Sequence, residues 1–269
     1  MSKFKELHQS GCFVIPNPWD IGTARYLAHL GFRALATTSS GFAFSRGLPD
    51  SAAVVSRQMV LDHVAEIVAA TDLPVNADFQ NGYAADAAGV AESVRLCVAT
   101  GVAGLSIEDA TGDAVAPLYD LTTAKERIAA ARGAIDASGS GVLLTGRAEC
   151  YLTGHPDPLR EAIRRLQAYA EAGADVLYAP GAREREEIGA IVKAVHPKPV
   201  NVLMAANTGL RVADLAQLGV RRVSVGSSLA RTAWTSFIRT AKAIAEEGSF
   251  AGFDGNIPFA ELDNFFRNR

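Results

Sequence analysis

Carboxylates, amides, hydroxyls and one guanidinium recur in this 269-residue chain at the ends of short apolar runs. The clearest case is Leu73-Pro-Val-Asn-Ala-Asp-Phe-Gln-Asn-Gly-Tyr83, where Val75 and Ala77 alternate with Asn76 and Asp78 before a Gln-Asn-Gly turn signal. Similar endings are Thr37-Thr-Ser-Ser-Gly-Phe42, Glu108-Asp109, Arg147 with Glu149, Asn201 and Gly226-Ser-Ser228, and Asp50 closes Arg46-Gly-Leu-Pro-Asp50. Brought to one face, Asp78, Glu108 and Asp50 repel one another unless a cation joins them. Mg²⁺, or Mn²⁺ in its place, suits such a group, because Mg²⁺ takes one or two carboxylates and fills its other positions with water or substrate oxygens. Arg147 opposite that cation offers a planar fork to a substrate carboxylate. Thr38, Ser39, Ser40 and Gly41 supply hydroxyl and backbone N–H donors to an anion, and Asn76 and Asn201 add amide contacts. The alternative is that Arg147 only neutralises Glu108 and Glu149 in a structural network.

Four segments show how such residues come to share a face. Ala28-His-Leu-Gly-Phe-Arg-Ala-Leu35, Val98-Ala-Thr-Gly-Val-Ala-Gly-Leu105, Ala170-Glu-Ala-Gly-Ala-Asp-Val-Leu177 and Ala216-Gln-Leu-Gly-Val-Arg-Arg-Val223 each end a helical pattern with Gly and then start an apolar run. Helix, Gly, strand is the grammar of βα units and a parallel sheet. Apolar runs place strands at 13–15, 34–38, 75–78, 104–108, 142–148, 176–178, 200–203 and 223–226. Helical periodicity fills 21–30, 55–70, 87–100, 122–137, 158–172, 183–194, 211–218 and 229–247. Eight of each predict an α/β fold of the (β/α)₈ TIM-barrel type, whose site lies at the C-terminal ends of the strands. A doubly wound open sheet is the competitor; against it, Pro16-Asn-Pro-Trp19 follows the first strand in place of a Gly-rich phosphate loop.

No linker or low-complexity segment interrupts the pattern, so residues 1–269 are expected to form one domain. Its C-terminal helical extension ends in an aromatic tail, 249–269, that holds five of the twelve phenylalanines. At about 25 cal/mol per Å² of apolar surface, such a tail is expected to pack on the barrel or on another subunit. Apolar residues at 49% and charged residues at 20% belong to a globular protein. A net charge of -3 gives no reason to expect nucleic acid or an anionic membrane as partner. The apolar runs fall short of the roughly 20 residues a membrane helix needs, and Met1 to His8 carry no hydrophobic signal core, so a cytoplasmic location is expected. Cys12, Cys97 and Cys150 lack metal or redox spacing. His155, before Pro156, reads as a turn residue, whereas Tyr83 and Tyr151 are loop phenols able to donate a proton.

Taken together, Ala36-Thr-Thr-Ser-Ser-Gly41, Gly47-Leu-Pro-Asp-Ser51, Pro74-Val-Asn-Ala-Asp78, Gly101-Val-Ala-Gly-Leu-Ser-Ile-Glu-Asp109, Gly146-Arg147 and Gly173-Ala-Asp175 resemble the isocitrate lyase/phosphoenolpyruvate mutase superfamily, in order, over residues 13–231. The resemblance implies a (β/α)₈ barrel that acts on Mg²⁺-bound 2-oxo acids and their adducts, breaking or making C–C or P–C bonds next to an enolate. It implies that Ser40 and Gly41 bind the substrate carboxylate, that Asp50, Asp78 and Glu108 hold the metal or its waters, and that Arg147 contacts substrate. Arg147, Glu108 and Asp50 would then be the catalytic set. It also implies a homo-oligomer, a tetramer with C-terminal helices in the interface.

The departures from the family pattern concern the proton donor and the substrate. Asp109 to Tyr119 contain no Cys, Lys, His or Asn, where the lyases carry a Lys-Lys-Cys-Gly-His loop and the mutases a gating loop with Lys and Asn. Asn76 stands where most relatives have a metal-shell Asp, and Pro180 where they have His or Glu. The expected activity is a Mg²⁺-dependent lyase or decarboxylase on a small 2-oxo acid or its C–C adduct. The alternatives are a P–C bond enzyme and a non-catalytic barrel that binds 2-oxo acids.

Overall fold

The computed structural model describes residues 2–267; the last two residues of the expected tail, 268–269, lie outside the described residues. Among the described residues eight parallel strands follow one another: β1 (Phe13–Ile15), β2 (Leu35–Ala36), β3 (Val75–Asp78), β4 (Gly104–Glu108), β5 (Leu143–Arg147), β6 (Val176–Tyr178), β7 (Val200–Leu203) and β8 (Arg222–Ser224). They pair in chain order from β2 round to β8, and β8 pairs with β1. The remaining seam lies between β1 and β2. There Ala36 N–H donates to the Pro16 carbonyl at 3.0 Å, and the Asn17 amide donates to the Thr37 carbonyl at 3.0 Å. The result is a nearly closed (β/α)₈ barrel, as the alternation of apolar runs and helical patterns predicts.

The barrel unit, Met1–Ser227, carries nine helices among its described residues. They are α1 (Lys3–Leu7), α2 (Ile21–His29), α3 (Ser39–Ser45), α4 (Arg57–Ala69), α5 (Ala87–Ala99), α6 (Leu121–Ser138), α7 (Pro158–Glu171), α8 (Arg185–Val195) and α9 (Val212–Gln217). Carboxylate or hydroxyl caps start most of the long ones: Asp20, Ser56, Asp86, Asp120 and Asp157 each accept a backbone N–H of the first turn. The glycine of each helix–Gly–strand segment has a positive φ: Gly31 84°, Gly101 88°, Gly173 101° and Gly219 89°. An L side chain is disfavoured there, and this fixes where each helix turns back into the barrel.

Two helices of this unit were not legible from periodicity. Helix α1 closes the floor of the barrel. Its Phe4 joins Phe13, Ile15, Ala34, Ala36 and Leu143 in a buried cluster at the N-terminal ends of the strands, and His8 packs edge-on to Phe4 and Phe13 with ring centroids 4.8 and 5.1 Å away. Helix α3 occupies what reads in sequence as a Ser-rich loop, and it trims β2 to two residues. The main core fills the space between strands and outer helices.

A second compact unit, Ser228–Arg269, contains α10 (Ser228–Glu247), a short 3₁₀ turn at Ala251–Phe253 and α11 (Phe259–Arg267). Within it Gly252 lies against Thr240. Four of the tail's five phenylalanines remain exposed in the single chain: Phe250, Phe253, Phe259 and Phe266. Trp234, Phe237 and Ile238 of α10 are exposed as well. Among the described residues no helix is long and apolar enough to cross a membrane.

The floor makes a direct prediction. A Cβ at Gly104 would stand 2.7 Å from both Asn76 Oδ1 and Phe4 Cε1, and 3.2 Å from the Leu143 carbonyl oxygen. Gly104→Ala should therefore destabilise the protein by about 1–3 kcal/mol through overpacking. Urea unfolding should show a lowered midpoint, and an unchanged one would contradict this account of the floor.

Candidate functional site

Where β3 ends, the chain has to place Asp78 against the turn that follows β2. Thr37 Oγ1 accepts the Asp78 N–H at 2.9 Å, and Ser39 N–H donates to Asp78 Oδ2 at 3.0 Å. Thr38 caps α3, its hydroxyl taking the Gly41 N–H at 3.3 Å. The Ser39 hydroxyl donates to Asp50 Oδ2 at 3.2 Å, and the Ser40 hydroxyl donates to the same oxygen over a shorter contact. Gln80 Nε2 donates to Asp50 Oδ1 at 2.9 Å. Gln80 has a φ of 43°, a strained setting for a residue other than Gly, and its carbonyl takes the Glu108 N–H at 2.9 Å. One residue out of the ordinary conformation thus links Asp50 to the end of β4.

The sheet register does the same for the next strands. Glu108 lies opposite Arg147, Arg147 opposite Tyr178, and Tyr178 opposite Asn201. Arg147 Nη1 stands 3.2 Å from both Asp78 Oδ1 and Glu108 Oε2, while its Nε–H donates to Glu149. Its guanidinium carbon also lies 5.4 Å from the centre of the Tyr178 ring. Burial pushes the Glu108 carboxyl well above the usual carboxylate range; Arg147 pulls against it, and Glu149, Asp78 and Asp109 push further. Glu149 is raised as well, again chiefly by burial. Burial works against the charge on Arg147, but Glu108, Glu149 and Asp78 more than offset it and hold the guanidinium firmly protonated.

These groups line a cavity of about 470 Å³, within the range that takes small ligands. Of the residues that sequence singles out, Thr38, Ser39, Ser40, Asp50, Asn76, Asp78, Glu108, Arg147 and Asn201 all face it. Gly41 does not; it is buried behind Thr38. Asp109 turns outward, where it accepts the Glu149 N–H at 2.8 Å, an Arg165 N–H at 3.0 Å and the Tyr169 hydroxyl. Tyr83, Tyr151 and His155 are absent from the lining. Cys97 and Cys150 are buried, and burial pushes each thiol up to about 12. Neither thiol is prepared for nucleophilic chemistry, and neither lines the cavity.

Among the lining residues that escape the sequence reading are Tyr178 and Arg222. Tyr178 ends β6, and burial pushes its phenol up to about 12, so it stays protonated through the neutral range. Arg222 opens β8 and is 3% exposed, with Nε–H donating to Asn201 Oδ1 at 2.9 Å and Nη2–H to Thr145 Oγ1 at 3.0 Å. The available signals were the tyrosine closing an apolar run and the doubled Arg221-Arg222 before another. Neither type nor spacing marks them.

A hard divalent cation fits this donor set in a limited way. Asp78 and Glu108 point two carboxylate oxygens at one cationic nitrogen, the one or two carboxylates that Mg²⁺ takes directly. Both Asp50 oxygens are engaged by Ser39, Ser40 and Gln80. Among the described residues no three His, Cys, Asp or Glu side chains gather as a metal-holding group.

The chain resembles known proteins over most of its length. The phosphoenolpyruvate phosphomutase family matches residues 4–245. A Burkholderia cenocepacia protein described as a lyase/mutase superposes with a TM-score of 0.93 at 49% identity, over 98% of this chain and 94% of its own. Phosphonopyruvate hydrolase in complex with oxalate and Mg²⁺ superposes with a TM-score of 0.83 at 27% identity, over 99% and 95%. Oxaloacetate decarboxylase of Paraburkholderia xenovorans is 28% identical over 230 residues, 82% of this chain and 73% of its own.

The two kinds of carboxylate should separate by stability. Asp109→Ala leaves the buried Arg165 with Glu161 alone and takes the acceptor from the buried Glu149 N–H and Tyr169 hydroxyl, and should cost about 3–5 kcal/mol. Asp78→Ala should cost much less, because Arg147 keeps Glu108 and Glu149. Equal losses in chemical unfolding of the two variants would refute this division.

Proposed function

Because the chain belongs to the phosphoenolpyruvate phosphomutase family, within the isocitrate lyase/phosphoenolpyruvate mutase superfamily, we propose that the cavity binds a small 2-oxo acid or its C–C adduct and breaks the bond next to the carbonyl through an enolate. The observation that carries this reading is the convergence of Asp78 and Glu108 on Arg147 at the strand tips. Asp78 and Glu108 would hold Mg²⁺, or Mn²⁺, with Asp50 beside them, and that ion supplies charge stabilisation to the developing enolate oxygen. The complex of a relative with oxalate and Mg²⁺ supports it.

The chain's own groups have distinct tasks. Arg147 is held in one orientation by three carboxylates, which spares the entropy of fixing it when substrate arrives. Tyr178 presents a protonated phenol to the cavity and is the candidate donor to the enolate carbon. This gives the missing Cys loop a replacement. The turn from Asp109 to Tyr119 is pinned by an Ala110–Leu118 bridge and carries no cation to meet a phosphonate dianion, which favours C–C over P–C chemistry.

The test is a screen of oxaloacetate, other 2-oxo acids, 2-hydroxy-tricarboxylates and phosphonopyruvate with Mg²⁺, read by pyruvate or glyoxylate release. Mg²⁺ added to oxalate should stabilise the wild type by roughly 3 kcal/mol at a hundredfold excess over Kd. Asp78→Ala should lose turnover and that Mg²⁺-dependent increment. Tyr178→Phe should keep the increment while turnover drops about 10²–10⁴-fold. Full turnover after EDTA treatment, or an Asp78→Ala variant that still responds to Mg²⁺, would remove the metal–enolate reading.

We infer further that the protein is a homo-oligomer, a tetramer, which covers the aromatic surface of residues 228–267. Light scattering should give a mass several times 28.3 kDa. A monomer at micromolar concentration would overturn this.

A further inference from the structure

Among the described residues two arginines line the cavity, and their surroundings are opposite. Arg147 faces three carboxylates. Arg222 faces only neutral acceptors: Asn201 Oδ1 and Thr145 Oγ1 close by, with Asn76 Oδ1 and His8 Nε2 each 3.5 Å from Nη1. Burial, with the Arg222 charge, lowers the His8 pKa to about 3 against the pull of the Phe4 carbonyl, so the ring is neutral; with Nδ1 on that carbonyl at 2.8 Å, Nε2 is left as the acceptor. Among the described residues no carboxylate pairs with Arg222. A buried guanidinium without a counter-charge is costly even when its N–H groups are bonded.

Arg127 shows the structural version of such a residue. Its guanidinium donates to the carbonyls of Asn81, Ala84 and Ala85, it fixes that loop, and it does not line the cavity. Arg222 opens onto the cavity instead. In a low-dielectric recess its uncompensated charge draws anions. The positive charge of Arg147, by contrast, is already spent on its own three carboxylates.

We infer that Arg222 is the cation that takes a carboxylate of the ligand, at the inner end of the cavity and without need of a metal. This rests on the oxo-acid reading above and adds an orientation to it. The ligand's carboxylate points inward to Arg222, and its reacting end lies at the Asp78–Glu108 tip. Asn76 and Asn201 are then positioning residues, because their amide oxygens are turned to the guanidinium and hold it in place.

The experiment uses the full chain stripped with EDTA, with oxalate as probe, read by calorimetry and thermal shift. Wild type should bind oxalate without metal, and Arg222→Met should bind it at least about tenfold more weakly, the worth of a charge-assisted bond. Arg222→Met leaves acceptors stranded and can misfold, so Asn201→Asp is the second variant. It places a carboxylate on Arg222 Nε with little change of shape. It should melt at or above wild type without ligand, yet lose oxalate affinity by about the same factor. A purely structural Arg222 would give a firmer protein with unchanged affinity, and that result overturns the inference. So does a wild type that ignores oxalate in EDTA. If Mg²⁺ plus oxalate still stabilises that protein, only the role of Arg222 falls; if it does not, the oxo-acid reading falls with it.

Discussion

One guanidinium among three carboxylates sets the terms for the mouth of this barrel. Asp78, Glu108 and Glu149 come from β3, β4 and the turn after β5, so Arg147 joins three consecutive strand ends. The charges do not balance, and burial makes the imbalance expensive, which is why Glu108 and Glu149 hold their protons more tightly than free carboxylates. The surrounding structure consists largely of means to keep these like charges together. The Thr37 hydroxyl and Ser39 N–H hold Asp78, and Gln80 accepts a strained backbone to hold Asp50. A site assembled this way is preorganised, and excess negative charge at its rim is what a divalent cation would relieve.

Below the rim the balance reverses. Asn76 and Asn201 sit where carboxylates would neutralise Arg222, and as amides they leave its charge standing. The cavity is therefore polarised along its depth, negative at the strand tips and positive inside. Tyr178 stands between, its ring beside Arg147 and its phenol in the field of Arg222. Burial holds the proton on that phenol, while Arg147 pulls the other way and would stabilise the phenolate left by a proton transfer.

The fold was legible because its signals are local: a glycine that must take positive φ after each helix, and short apolar runs between. The strand tips carried most of the site for the same reason. Asp78, Glu108 and Arg147 are charged residues that close apolar runs, and a charge placed there by a βα unit lands at the barrel mouth. Arg222 was not legible. Beginning the last strand at Val223 leaves it outside the barrel, and nothing in Arg221-Arg222 says that the first reaches the Gly11 carbonyl while the second turns inward. Tyr178 passed as the apolar end of a strand. Helix α3 falls outside the helical patterns because Ser and Gly are poor helix formers, and it is the Thr38 cap that supports it. The tail's aromatic content predicts burial, whereas in the single chain it stays largely exposed.

The sealed floor has a kinetic meaning. Phe4 and His8 stop the barrel at its N-terminal end, so the interior opens at the strand tips. A reaction that divides one ligand into two leaves both fragments in a blind passage. The outer fragment has to depart first, and the inner one cannot pass it. With a ligand carboxylate held inward at Arg222, release would be ordered, and the inner fragment would be the one that competes with fresh substrate for the empty protein.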